Sequence, residues 1–112
     1  MSITVYNKLV RDKIPKIIIT DGHTPVTRVL TEDDEYREAL IAKLGEEAEE
    51  LRTATESGRI GELADLQEVL NSLARSYGYS PPEVVYAAAK KRLARGGFDG
   101  RIYLEHTTAE QQ

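Results

Sequence analysis

Cysteine and tryptophan are both absent from the 112 residues, which include one Phe, one Met and two His. Without thiols the chain forms no disulfide and performs no thiol chemistry, as expected of a protein in a reducing cytoplasm. Two histidines and no cysteine offer too few ligands for a zinc-type site. Long hydrophobic runs are missing as well. The longest run of branched aliphatic residues, Ile17-Ile18-Ile19, is far too short to span a bilayer. The opening MSITVYNKLVRDK has no apolar stretch of signal-peptide type. No membrane partner is expected. Repeats, low-complexity segments and linkers are also lacking. The chain reads as one domain over residues 1–112, with a core at about 6–105 and a frayed polar tail, HTTAEQQ, at 106–112.

What is present is charge, unevenly placed. The net charge is −4. Lys8, Arg11, Lys13 and Lys16 crowd the N-terminal segment, acid dominates residues 32–68, and Lys90, Lys91, Arg92, Arg95 and Arg101 form a second basic cluster. A nucleic-acid-binding domain is usually basic overall, so no nucleic-acid partner is expected. An acidic middle between basic segments suits an anionic ligand bridged by a metal.

The periodicity predicts four helices and an all-α, four-helix bundle. The first covers about residues 13–20, with Asp12 as N-cap, Pro15 in its first turn and Gly22 at its end. The second starts at Thr31, whose partner in a capping box is Asp34, and stops at Gly58. The third runs from about Ile60 to Tyr77, with Leu63, Leu66, Leu70, Leu73 and Tyr77 on one face, and ends at Gly78. The fourth starts from Ser80-Pro81-Pro82-Glu83 and reaches about Arg95. Two short segments, the partly β-branched residues 26–30 and RIYLE at 101–105, are expected to pair as a small ribbon.

The chemistry lies in ALIAKLGEEAEELRTA and GELADLQEVL. A helix turns about 100° per residue. With Leu44 at the centre of the second helix's apolar stripe, Leu40 and Leu51 fall within roughly 40° and Glu47 within roughly 60°. Glu50 sits at the margin on the same side, while Glu46 and Glu49 fall on the solvated side. Glu47 and Glu50 are thus an i, i+3 pair facing partly inward. Glu62 and Asp65 repeat that spacing on the third helix, flanking its leucine stripe. Two adjacent antiparallel helices would bring these four carboxylates together. Like charges buried together cannot all stay ionised, and a divalent cation resolves the conflict. Oxygen-only ligands suit Mg²⁺, with Mn²⁺ as an alternative. The competing reading is a solvated acidic face without a ligand.

The fourth helix has the opposite anomaly. From Val84, the stripe continues through Ala88 to Lys91 and Arg95, two cations on an apolar line. Either their stems cover the core while the heads reach water, or the heads hold phosphate oxygens. Lys8, Arg11 and Lys13 pose the same choice.

These motifs resemble the MazG-like all-α NTP pyrophosphohydrolase superfamily. The resemblance rests on E-E-x-x-E at Glu46, Glu47 and Glu50, followed after eleven residues by E-x-x-D at Glu62 and Asp65. YNKLVRDKIPKII and RGGFDGRIYLE resemble one subgroup, thought to be house-cleaning nucleotide pyrophosphatases. The likeness covers residues 6–105.

The resemblance implies a four-helix core and a Mg²⁺-dependent enzyme that splits a nucleoside triphosphate, canonical or not, into a monophosphate and pyrophosphate. Glu47, Glu50, Glu62 and Asp65 would be the metal ligands. Glu46 would be an auxiliary ligand or would orient the attacking water, making Glu46, Glu47 and Glu50 the catalytic set. Lys91 and Arg95 match the family's phosphate-contacting K-x-x-x-R, and Lys8, Arg11 and Lys13 match the subgroup's opening motif. A homodimer or homotetramer is implied too. The short gap between the acidic motifs and Gly45 directly before Glu46 depart from the family pattern and leave the substrate base open. Two other readings remain: a non-catalytic nucleotide-binding or protein-docking module, and an acidic oligomerisation domain.

Overall fold

The computed structural model describes residues 2–109. Among these residues four α-helices follow one another: α1 (Ile14–Thr20), α2 (Asp33–Thr53), α3 (Arg59–Ser76) and α4 (Pro81–Arg95), with a 3₁₀ turn at Glu56–Gly58. No strand occurs among the described residues, so the chain is all-α there. The expected ribbon does not form. Val26 and Val29 are exposed, as are Ile102, Tyr103 and Leu104, and Arg101 has a positive φ of 56° that breaks the second segment at its first residue. Segments this short, with no apolar face to bury, do not repay the ordering of a sheet. No described helix is long and apolar enough to cross a membrane.

The helix ends follow local chemistry with some corrections. Gly22 and Gly78 close α1 and α3 at φ of +88° and +86°. In each case the following residue, His23 or Tyr79, returns its N–H to the carbonyl of Ile18 or Ala74 (3.1 and 2.9 Å). A left-handed residue is needed there, and glycine adopts it without strain. Two expected caps are absent. The N-cap of α1 is Lys13 rather than Asp12, and that of α2 is Glu32 rather than Thr31, neither with a side-chain cap. In α2 the acids Asp33, Asp34 and Glu35 fill the first turn, where the helix dipole favours negative charge. Its other end falls at Thr53 instead of Gly58. Ala54 and Thr55 are extended, and the Thr53 hydroxyl bonds back to the carbonyls of Glu49 and Glu50 (3.4 and 3.3 Å). Gly58 instead caps the start of α3.

The chain divides into two compact units, Met1–Pro81 and Pro82–Gln112. In the first, α2 and α3 pack together. They are antiparallel: Arg37 near the start of α2 donates from Nε to Ser76 Oγ at the end of α3 (3.4 Å) and from its outer nitrogen to the Ser76 carbonyl. Arg37 also lies over the Tyr77 ring, 4.9 Å from its centre. Leu40, Val69 and Ala74 are the buried apolar residues of the hairpin. Replacing Arg37 by Lys keeps the charge but loses the forked contact and the flat stacking. A drop of about 1 kcal/mol in unfolding free energy is expected, read by urea denaturation.

The buried face of α3 differs from its leucine stripe. Leu63, Leu70 and Tyr77 remain 50, 47 and 52% exposed. The face toward α2 runs instead through Glu62, Asp65, Leu66, Val69 and Leu73, which are buried or half-buried. The helix is turned by roughly 60° from the direction the leucines suggest, so Glu62 and Asp65 stand on the contact line rather than beside it. In the second unit α4 carries no buried residue, and the stripe expected from Val84 to Arg95 is exposed throughout.

Candidate metal centre

Two acidic triads meet at one residue. Carboxylate oxygens of Glu46, Glu47 and Glu50 lie within 4.8 Å of one another, and so do those of Glu47, Glu62 and Asp65. The four expected ligands therefore converge, but as two overlapping groups with Glu47 in both. Glu46, expected on the solvated side, joins the first triad and is half-buried. It is drawn there by cations: Lys8 Nζ lies 2.9 Å and Lys43 Nζ 3.8 Å from its Oε1. Glu50 is exposed along much of its length, yet its carboxylate reaches the group.

Glu47 carries the anomaly. It is 5% exposed and is the one buried charged residue described. Its Oε1 lies 3.6 Å from Lys43 Nζ. Its Oε2, like the Oε2 of Glu62, is buried without a hydrogen-bond partner. Buried carboxylate oxygens are normally paired, because desolvating them alone is strongly unfavourable. Burial first, then hydrogen bonding to Glu50 and the charges of Glu50 and Asp65, push the Glu47 carboxyl up to about 7; Lys43 opposes them. Glu46 goes the other way, held below the usual carboxylate range chiefly by Lys8. Lys8 is correspondingly raised by its hydrogen bond to Glu46.

The N-terminal cations are sorted by the fold. Lys8 binds Glu46, and Arg11 binds Asp65 Oδ1 at 2.8 Å. Lys13 does not touch the carboxylates through any described contact, but it lines the adjoining cleft of about 540 Å³. That cleft lies between the Leu9–Lys13 stretch and the α2–α3 hairpin, with Glu47 and Asp65 in its wall beside Tyr36, Ser72 and Arg75. Lys91 and Arg95 belong to α4 in the second unit, where both are exposed. Sequence reasoning passed over Lys43. Its signal was available, because a lysine three and four residues before Glu46 and Glu47 shares their helix face.

The residues present fit a hard divalent cation. The donors are all carboxylate oxygens from two rigid helices, and two buried oxygens lack any other partner. Comparison with known proteins adds little to this geometry. No family model matches the chain, and no solved structure matches it. A protein of Mycolicibacterium smegmatis described as uncharacterized is 60% identical over 47 residues, which make up 42% of this chain and 47% of the relative. The chain thus spans about half of that relative's length.

Proposed function

We propose that the protein is a Mg²⁺-dependent, MazG-like nucleoside triphosphate pyrophosphohydrolase that yields a monophosphate and pyrophosphate. The observation that carries this reading is Glu47: a buried carboxylate with an orphaned oxygen, shared by two acidic triads, beside a cleft large enough for an anionic ligand. Glu47, Glu50, Glu62 and Asp65 hold the metal; Mn²⁺ has the same ligand preference. When bound, the ion neutralises triphosphate charge and polarises the phosphorus under attack. Glu46 accepts a hydrogen bond from the incoming water and orients it. Water forms the new phosphorus–oxygen bond and releases a proton to solvent as the bond between the α and β phosphates breaks and pyrophosphate leaves. Arg11 and Lys13 supply positive charge in the cleft wall and Lys8 supplies it beside Glu46, while Lys91 and Arg95 are assigned to phosphate by the resemblance alone. The half-exposed Leu63, Leu70 and Tyr77 of α3 favour the homodimer or homotetramer that the resemblance implies. A cytoplasmic house-cleaning role toward noncanonical triphosphates belongs to the same reading.

The decisive experiment is a panel of canonical, deoxy and damaged triphosphates incubated with purified protein and Mg²⁺, read by product identity. Pyrophosphate, not orthophosphate, is expected, and chelation should stop its release. Glu50→Gln should abolish turnover with unchanged helical circular dichroism. Tight triphosphate binding with no turnover across the panel would leave the binding-module reading in its place.

A further inference from the structure

Five carboxylates face three cations here: Glu46, Glu47, Glu50, Glu62 and Asp65 against Lys8, Arg11 and Lys43. With all five carboxylates ionised, two negative charges are left over, matching one divalent ion. The cations do not fill the centre, since the buried Oε2 atoms of Glu47 and Glu62 remain without partners. They neutralise its rim. They also differ in kind. Lys43 is fixed on α2, with its side chain 17% exposed. The side chains of Lys8 and Arg11 are 39 and 56% exposed, and they stand on a segment with no helix or strand. Between them Leu9 and Val10 are half-buried. Leu9 and Val10 turn partly inward, while the two charged heads reach the surface and are held only by their exposed ion pairs. Arg11 already lines the cleft.

We propose that Lys8 and Arg11 are exchangeable counter-ions: they neutralise the carboxylates while no divalent cation is held, and turn to the anionic ligand once one is, so that metal and anion bind cooperatively. This rests on the metal-centre reading above. Exposed ion pairs are weak, and a divalent ion among the same carboxylates removes most of the field that holds them. A polyphosphate entering the cleft then offers the released cations a new partner. By linkage, whatever the metal does for the anion, the anion does equally for the metal.

The test uses the full chain and a Lys8→Gln/Arg11→Gln variant, with Mg²⁺ and inorganic pyrophosphate as probes. Calorimetry should show the variant binding Mg²⁺ alone about fivefold to tenfold more tightly than the parent, because the competing cations are gone. Trypsin cleavage of the parent after Lys8 and Arg11 should accelerate with Mg²⁺ alone and slow again when pyrophosphate joins it. A charge-conserving Lys8→Arg/Arg11→Lys variant should keep parental Mg²⁺ affinity, showing that altered folding is not the cause. If Mg²⁺ binds parent and Gln variant equally and leaves cleavage unchanged, the exchange is overturned and the metal centre stands. If Mg²⁺ binds neither protein, both ideas fall.

Discussion

Glu47→Gln is expected to remove turnover and, in the absence of metal, to make the protein more stable. These effects have one cause. At pH 8 the parent must hold an ionised carboxylate that is 5% exposed and repelled by Glu50 and Asp65. Glutamine is nearly isosteric, carries no charge, and has an amide able to donate to the neighbouring carboxylates. The loss of the 3.6 Å contact with Lys43 works against the gain, so a net stabilisation of about 1 kcal/mol is expected. For a unit of this size that is a rise of about 4–8 °C in the melting temperature. With Mg²⁺ the order inverts. Removing an oxygen ligand common to both triads should lower metal affinity and turnover by more than the 10–100-fold typical of losing an outer hydrogen-bond partner, about 10³-fold. Glu49→Gln is the control: Glu49 is exposed and pairs with Arg52 at 3.1 Å, outside the centre, so neither measurement should move. A Glu47→Gln protein that melts earlier without metal, yet hydrolyses triphosphate normally, would show the residue to be merely structural.

How much of this centre was readable beforehand depends on how local each interaction is. The i, i+3 spacing of Glu47 with Glu50, and of Glu62 with Asp65, is a property of one helix and was visible as such. So were the glycine stops at Gly22 and Gly78 and the Ser80-Pro81-Pro82-Glu83 start of α4. The orientation of α3 was not visible. Counting leucines points to the Leu63–Leu70–Tyr77 side, but a hairpin of two helices buries only one seam. That seam runs through Val69, Leu66, Leu73 and the acids, leaving Leu63, Leu70 and Tyr77 at its edge. The partners of the N-terminal cations were equally hidden. Lys8 and Glu46 are 38 residues apart, and Arg11 and Asp65 are 54 apart. No periodicity joins a segment without regular structure to a helix. The ribbon failed for the opposite reason: local β-propensity depends on a neighbouring strand and a buried face, and Val26 and Ile102 have neither.

The stability of the metal-free protein should fall as pH rises from 5 to 8, and Mg²⁺ should reverse that slope. In the unfolded chain Glu47 titrates near its ordinary value of 4.5; in the folded chain it is pushed up to about 7. Between those values the folded state binds the extra proton. Stability contributed by the protonated carboxyl is therefore complete below about 4.5 and lost as pH passes through about 7. The other shifted groups at the centre act outside this window: Glu46 is lowered from 4.5 and Lys8 raised from 10.5. A shift this large corresponds to about 3 kcal/mol at full strength. Solvent at the open side of the cleft weakens it, so a loss of about 1–2 kcal/mol across the window is expected, seen as a fall of about 5–10 °C in melting temperature. A cation held by Glu47 requires the carboxylate, so binding expels that proton and is favoured as pH rises. At a concentration 100 times its dissociation constant the ion adds about 3 kcal/mol, enough to outweigh the loss at pH 8 but of little use at pH 5. Melting curves at both pH values, with Mg²⁺ and with chelator, give four temperatures whose order is fixed by this argument. Glu47→Gln removes the titrating group, so its two chelated temperatures should converge. If they remain as far apart as the parent's, the proton resides elsewhere and the buried carboxylate is not what the metal relieves.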